Sequence, residues 1–236
     1  MKKTLLTTLA SLGFILLFGQ KTEFKVQLNS GLFSFVGASA VHSTFINGAD
    51  SPNSGYTNNP YGAKYGLCYG ASATVTRVTR RKFLLGLDVG YEILKSKVSI
   101  ESVNGRDSRS SFDLPATGQT FLNFSFLNIY PHIGQRFIIK NVVFDITGGL
   151  DIGRCFKAVE QGEATTTDGQ TFTTSRNRTT LSNDIRPRIQ LATTYGTIGI
   201  YVGYAEGIPN YLSGYVGGTN ESRSRLIRFG LSYRIK

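Results

Sequence analysis

The chain has no tryptophan, one methionine, two histidines and two cysteines in 236 residues. Each scarcity excludes something. Two distant histidines and two distant cysteines cannot form a Cys/His cluster with metal-ligand spacing. Cys68 and Cys155 are too few for the disulfide framework of a small exported scaffold. Both fall in the middle of alternating segments far apart, so the expectation is two small half-buried thiols, not a pair. Beyond residue 20 nothing approaches the roughly 20 consecutive apolar residues of a membrane helix, so any membrane crossing must be made by strands. Phosphate-binding loops and dinucleotide fingerprints are missing too. His42 beside Ser43 offers a base next to a hydroxyl, but neighbouring side chains on an extended chain point apart. Asp168-Gly169 reads as a turn, not a calcium loop. No catalytic residue, metal or cofactor is expected, and the chain does not read as an enzyme.

The N-terminus has a different character from the rest. Lys2 and Lys3 precede an apolar run from Leu9 to Phe18, followed by Gly19 and Gln20. This is the layout of a secretory signal peptide, with cleavage expected after Gly19. No cysteine lies near that point for lipid anchoring. The alternative, a buried amphipathic helix, lacks its polar stripe. Residues 1–19 are therefore expected to be a signal peptide and residues 20–236 one barrel domain. The formal charge is +11, or +9 without Lys2 and Lys3. Such a balance suggests nucleic acid in a soluble protein, and lipid head groups or lipopolysaccharide phosphates in an exported barrel.

After residue 20 the dominant pattern is alternation. Strand one is expected over about Glu23 to Phe35, where Phe24, Val26 and Leu28 alternate with Lys25, Gln27 and Asn29. Strand two is expected over Tyr65 to Val78, and strand three from Phe83, with Leu85, Leu87, Val89, Tyr91 and Ile93 on one face. Strand four, about Thr120 to Phe137, changes phase near Phe126 and Leu127, which a β-bulge would explain. Strands five to eight follow over about Val142 to Phe156, Leu181 to Tyr195, Thr197 to Ala205, and a last segment through Ile227, Phe229, Leu231, Tyr233 and Ile235. These segments reach the 9–11 residues of a tilted membrane strand, whereas soluble strands average about 5–6.

Connections alternate as well. Short links near Arg80–Lys82, Ile139–Asn141 and Gly196 alternate with long ones over about Val36–Lys64, Ser96–Gln119, Lys157–Thr180 and Glu206–Ser222. That is the plan of an eight-stranded antiparallel up-and-down transmembrane β-barrel, with long loops outside and both termini in the periplasm. Aromatic residues near strand ends, Phe83, Phe137, Tyr195, Tyr204 and Tyr233, suit interfacial girdles. The polar face then lines a lumen that eight strands leave just wide enough to fill. Its charges are Lys25, Asp88, Glu92, Arg136, Asp145, Asp151, Asp184, Arg186, Arg188, Arg228 and Arg234, nearly balanced in sign. Glu92, Asp151, Arg186 and Arg228 fall at similar depth, and a salt-bridge network joining them with Asp88, Asp184 and Arg188 is expected to plug the barrel. His132 is expected to face the lumen near the periplasmic end.

The ending Phe18-Gly19-Gln20, the segment Phe126-Leu127-Asn128-Ile129-Tyr130-Pro131 and the last strand Phe229–Ile235 together resemble the outer-membrane β-barrel domain proteins of Bacteroidota, the group that includes PorT-like proteins. Leu231, Tyr233 and Ile235 also resemble the terminal signal read by the barrel-assembly machinery, although the chain ends in Lys236 instead of an aromatic residue. The resemblance implies an outer-membrane location and no particular activity. The leading expectation is a monomeric structural and interaction protein, similar to OmpA- or OmpX-like small barrels. It would bind no nucleic acid, and its lumen would be plugged. Arg106, Arg109, Arg176, Arg178, Arg223 and Arg225 are expected near the outer rim, where arginine would pair with lipopolysaccharide phosphate. The alternatives are a narrow solute pore, a PorT-like secretion accessory, and a soluble ligand-binding barrel.

Overall fold

Strands with one polar and one apolar face can hide either face by closing into a ring, which also removes their unpaired edges. This chain hides the polar one. The computed structural model describes residues 21–48, 55–106, 110–215 and 219–236; the expected signal peptide lies outside them. Among the described residues there are eleven strands and no helix. Eight form the ring: β1 (Lys21–Val36), β4 (Lys64–Val78), β5 (Phe83–Arg106), β6 (Ser111–Ile139), β7 (Val142–Thr166), β9 (Asn183–Tyr195), β10 (Ile198–Glu206) and β11 (Arg223–Arg234). They pair antiparallel in chain order around the ring, and β1 closes it against β11 with Lys25 opposite Arg234. The fold is an eight-stranded antiparallel up-and-down barrel of the transmembrane type, with apolar side chains outside and polar ones inside.

The apolar band is legible along single strands. On β11 and just past its end, Ile227, Phe229, Leu231, Tyr233 and Ile235 point outward, and all but Ile227 are exposed. Their eight residue steps of about 3.4 Å, tilted about 40°, give a band roughly 20 Å tall, close to that of membrane barrels. At one end of the band the strands join by short turns. Lys82 and Lys140 take positive φ values of 62° and 54°, and Gly196 takes 60° in the third turn. A non-glycine residue there costs about 1–2 kcal/mol. Both ends of the described chain meet at this level, where the Phe24 amide donates to the Lys236 carbonyl at 3.1 Å.

At the other end the structure departs from the sequence reading. The expected long links over Ser96–Gln119 and Lys157–Thr180 are mostly strand. β5, β6 and β7 run on past the band, joined by β2 (Ser43–Gly48), β3 (Tyr56–Thr57) and β8 (Thr171–Asn177). β2 adds parallel to β5, β3 adds to β2, and β8 adds to β7. The resulting sheet curls until β3 approaches β8. Glu160 on β7 ties that seam: it accepts the Thr57 amide at 2.6 Å and the Arg178 guanidinium at 2.5 Å, while Arg178 also donates to the Thr57 carbonyl. Ile46, Ile100, Val103, Ala116, Ala164 and Phe172 fill the interior of this headpiece. Its outward positions carry Lys95, Lys97, Ser99, Glu101 and Glu163, so the apolar stripe that marks the lower strands is gone.

The bulge is also displaced. β6 keeps one inward parity throughout, from Leu122, Phe124 and Phe126 to Asn128, Tyr130, His132 and Arg136. Its apparent phase change is a change of chemistry: the inward face turns from polar to apolar. The register shift lies on the partner strand, where Ser125 pairs with Lys157 and Phe126 with Cys155, leaving Phe156 as the extra residue.

Candidate functional site

The inward face of the barrel stacks into layers. Nearest the turns, Arg136 lies between two buried carboxylates. It binds Glu23 through both terminal nitrogens, at 2.9 and 2.8 Å, and Asp145 at 2.7 and 2.8 Å. Lys25 reaches Asp145 at 3.4 Å and Arg234 reaches Glu23 at 3.3 Å. Glu23 was not among the sequence-derived lumen charges. It shares the parity of Lys25 and Gln27, so the alternation itself points to it. With Glu23 included, the lumen holds six acidic and six basic side chains among the described residues.

The next layer is looser. Asp88 lies 3.6 Å from His132, whose ring stacks on Tyr130 with centroids 4.9 Å apart. Arg188 covers the other part of that group, 4.1 Å from the Tyr130 centroid, and donates to Gln190. Among the described residues no carboxylate lies within salt-bridge distance of Arg188, and Asp88 and Arg188 face Glu92, Asp151 and Arg228 across one small cavity.

Above them lies the tightest cluster. Arg228 clasps Glu92 at 2.7 and 2.6 Å and reaches Asp151 at 3.0 Å; Arg186 approaches Asp151 at 3.3 Å and Asp184 at 3.8 Å. Asn29 and Asn128 donate to the remaining Glu92 lone pairs at 3.2 and 2.5 Å. Asp184 accepts Tyr211 at 2.8 Å and Ser224 at 2.6 Å. The four charges placed at one depth by sequence are thus brought together. Tyr211 comes from the β10–β11 loop, where no periodicity marks it. The cavities left among these layers measure about 10 and 20 Å³, room for roughly one water each.

Over the charged cluster sits an apolar seal. Phe33, Phe35, Leu94, Leu122, Phe124, Phe126 and Leu226 converge from the barrel wall, and Tyr61, Tyr211 and Leu212 close over them from the loops. Phe35 stacks edge-on with Tyr211 at 5.0 Å and with Tyr61 at 5.1 Å. Cys68, buried, and Cys155, half-buried, are both free thiols.

The headpiece and the seal enclose an open cleft of about 680 Å³, lined by Tyr56, Tyr61, Tyr215, Arg176, Arg178 and a set of asparagines that includes Asn58 and Asn177. Arg176 and Arg178 lie 5.2 and 5.8 Å from the Tyr56 centroid. The other candidate rim arginines do not join them. Arg223 pairs with Glu221 at 3.0 Å, Arg225 lies 3.8 Å from Glu206, and Arg106 is at the far tip of the β5–β6 hairpin. Arg109 lies outside the described residues. Asp168 sits in the β7–β8 turn with Gly169 at φ 88°; the Thr166 hydroxyl donates to its carboxyl and holds the pKa below the usual range. The His42 carbonyl accepts the Ser99 amide, while Ser43 begins β2.

No protein-family model matches the chain, and no curated protein matches it in sequence. Among solved structures it is similar to Ail, the attachment invasion locus protein of Yersinia pestis, in complex with the heparin analogue sucrose octasulfate. That match has 9% identity over 92% of this chain and 98% of the other, with a TM-score of 0.31. It is also similar to Neisserial surface protein A, at 10% identity over 90% of this chain and 98% of the other, with a TM-score of 0.36.

Proposed function

We propose that the chain is a non-conducting outer-membrane barrel with a structural and interaction role, and that its outer cleft contacts lipopolysaccharide phosphate. The observation that carries the first half is the doubly blocked lumen: clustered charges below and an aromatic seal above, with cavities of about 10 and 20 Å³ among the charged layers. Such an interior suits a rigid envelope component better than a pore. In planar bilayers the expected result is no stable channel, and a large, steady conductance overturns the reading.

Support for the second half is narrower than an arginine rim. Arg176 lies in the cleft beside tyrosine faces and amide groups, and its guanidinium is free to take a phosphate in bidentate fashion. Arg178 holds the seam and is the wrong residue to test. Arg176→Gln is expected to lower lipopolysaccharide co-purification while heat-modifiable gel mobility stays unchanged. Unchanged co-purification removes the lipopolysaccharide reading and leaves the closed barrel standing.

The same proposal has the signal peptide of residues 1–19 removed and the turns and termini in the periplasm. The barrel-assembly machinery would read Leu231 and Tyr233 on the outward face of β11 with Ile235 just past its end, and the barrel would act as a monomer.

A further inference from the structure

The turn end of the barrel carries exposed charge of one sign. Lys21, Arg80, Arg81, Lys82, Lys140 and Lys236 are all exposed there. The side-chain carboxylates at this level, Glu23 and Asp145, are buried in the lumen and bound by Arg136, and of the exposed cations Lys21 lies 3.7 Å from Glu23. The opposite end is mixed: its exposed cations share the surface with Glu101, Asp113, Glu163 and Asp168, and two of its arginines pair with Glu206 and Glu221.

Two of the turn-end lysines sit where the backbone resists them. Lys82 and Lys140 hold φ values of 62° and 54°, while the third turn places glycine, at 60°, at the position that matches Lys140. Glycine would meet no steric penalty at any of the three. Side chains kept at strained positions suggest a use for the side chains.

Their level narrows what that use is. The turns span only a few residues, so the cations do not project as a platform. The exposed apolar side chains Phe83, Ile138, Ile139, Ile198 and Ile235 lie next to them in the strands and at their ends. Long basic side chains at such a boundary reach along the apolar surface and place their charges among head groups. We infer that this basic collar binds anionic phospholipid head groups of the leaflet at the turn end, in preference to zwitterionic ones. The collar thereby fixes the depth and orientation of the barrel. The inference rests on the barrel being inserted in a membrane, and goes beyond that reading by naming the lipid.

The test uses the whole mature chain, refolded into vesicles of phosphatidylethanolamine with a minor share of phosphatidylglycerol. After gentle extraction, the lipids retained by the barrel are quantified by mass spectrometry. The variant Arg80→Gln/Arg81→Gln/Lys82→Gly/Lys140→Gly removes four charges and relieves two strained positions, so it is expected to insert and show heat-modifiable mobility like the parent. A control, Arg154→Gln/Lys157→Gln, removes two exposed charges from the opposite end, outside the cleft. The parent and the control should retain phosphatidylglycerol above its bulk ratio, by roughly fivefold for each cation that engages a head group at low salt. The collar variant should fall to the bulk ratio, and high salt should weaken the parent's preference. Equal enrichment in parent and collar variant, or loss in the control as well, overturns the inference. So does capture of polyglutamate by the inserted barrel without lipid enrichment, which would give the collar a polypeptide partner. Failure of the parent to insert in any vesicle overturns the membrane reading itself, a result distinct from insertion without enrichment.

Discussion

Removing Arg228 should uncover how much the buried cluster contributes. Arg228, Glu92 and Asp151 are all buried, and Arg228 makes three charge-assisted bonds to the two carboxylates. In Arg228→Met, Glu92 keeps only the Asn29 and Asn128 amides, and Asp151 keeps only Arg186 at 3.3 Å. Breaking a buried pair from one side costs about 3–5 kcal/mol. The surviving amide donors place this case near the lower figure, about 3 kcal/mol. Glu92→Gln keeps the shape and leaves Arg228 bonded to Asp151, and should cost about 2 kcal/mol. The double variant removes charge from both sides of the strongest contact. It should therefore cost roughly 3 kcal/mol instead of the additive 5, a coupling of about 2 kcal/mol. Because the chain lacks tryptophan, unfolding in urea is best followed by far-ultraviolet dichroism and by heat-modifiable mobility in vesicles. A coupling below about 0.5 kcal/mol, or an Arg228→Met variant as stable as the parent, would refute the claim that these charges stabilise one another.

The two seals act in series, so Glu92→Ala/Arg228→Ala alone should remain non-conducting in planar bilayers, whereas adding Phe124→Ala and Tyr211→Ala should open a measurable current. Conductance from the first variant would mean that the aromatic layer blocks nothing. Gly153 has no room for a side chain: a Cβ there would lie 2.8 Å from both Asn128 Oδ1 and the Phe126 ring and 3.1 Å from Arg186. Gly153→Val should cost about 1–3 kcal/mol in urea titrations, or prevent refolding. Lys82→Gly should leave stability unchanged or raise it by up to about 1 kcal/mol, because the strained φ is relieved; a loss of stability would show that the lysine side chain holds the turn. Both thiols should be alkylated after denaturation without reductant, since Cys68 and Cys155 are unpaired.

How much of this was legible depends on contrast between faces. In the band, lipid outside and charge inside give opposite chemistry at successive residues, so the parity of β1, β4, β9, β10 and β11 can be read directly from Phe24/Lys25 or Ile185/Arg186. Depth could be counted from the turns, which is how Glu92, Asp151, Arg186 and Arg228 fall together. Beyond Ile93 and Ile152 the exterior meets water and the contrast weakens. Ser99/Ile100 and Glu163/Ala164 alternate as surely as the strands below, but Thr, Ser, Gly and Gln dominate both faces and resemble a loop. Parity on β6 misleads for a related reason: two apolar runs, Leu122–Phe126 and Leu127–Ile133, belong to opposite faces. The cleft depends on Tyr56, Arg176 and Tyr215 meeting from three loops or edge strands, and no local pattern records that.

The inversion itself locates a boundary. Along β6 the inward residues pass from Arg136, His132 and Asn128 to Phe126, Phe124 and Leu122, while the outward ones pass from Phe137, Ile133, Ile129 and Leu127 to Ser125 and Asn123. Both changes occur within one pair of residues. On β5 the inward change falls between Glu92 and Leu94 and the outward one between Ile93 and Lys95; these residues pair with Phe126, Phe124, Ser125 and Asn123. Two adjacent strands therefore exchange their inside and outside chemistry at the same height. A sheet bathed in one solvent has no reason to do so. Hydrocarbon outside the lower ring makes its polar face the one to bury, and the charges there gather around Arg136 and Arg228. Water outside the upper sheet reverses the preference and lets Ile46, Ile100, Val103 and Phe172 turn inward, beside buried Thr57, Thr120 and Glu160. The aromatic seal stands at the crossover because Phe124 and Phe126 are the first inward residues of the water-bathed regime. They keep water from the ion pairs beneath, and that exclusion strengthens the same pairs that close the lumen.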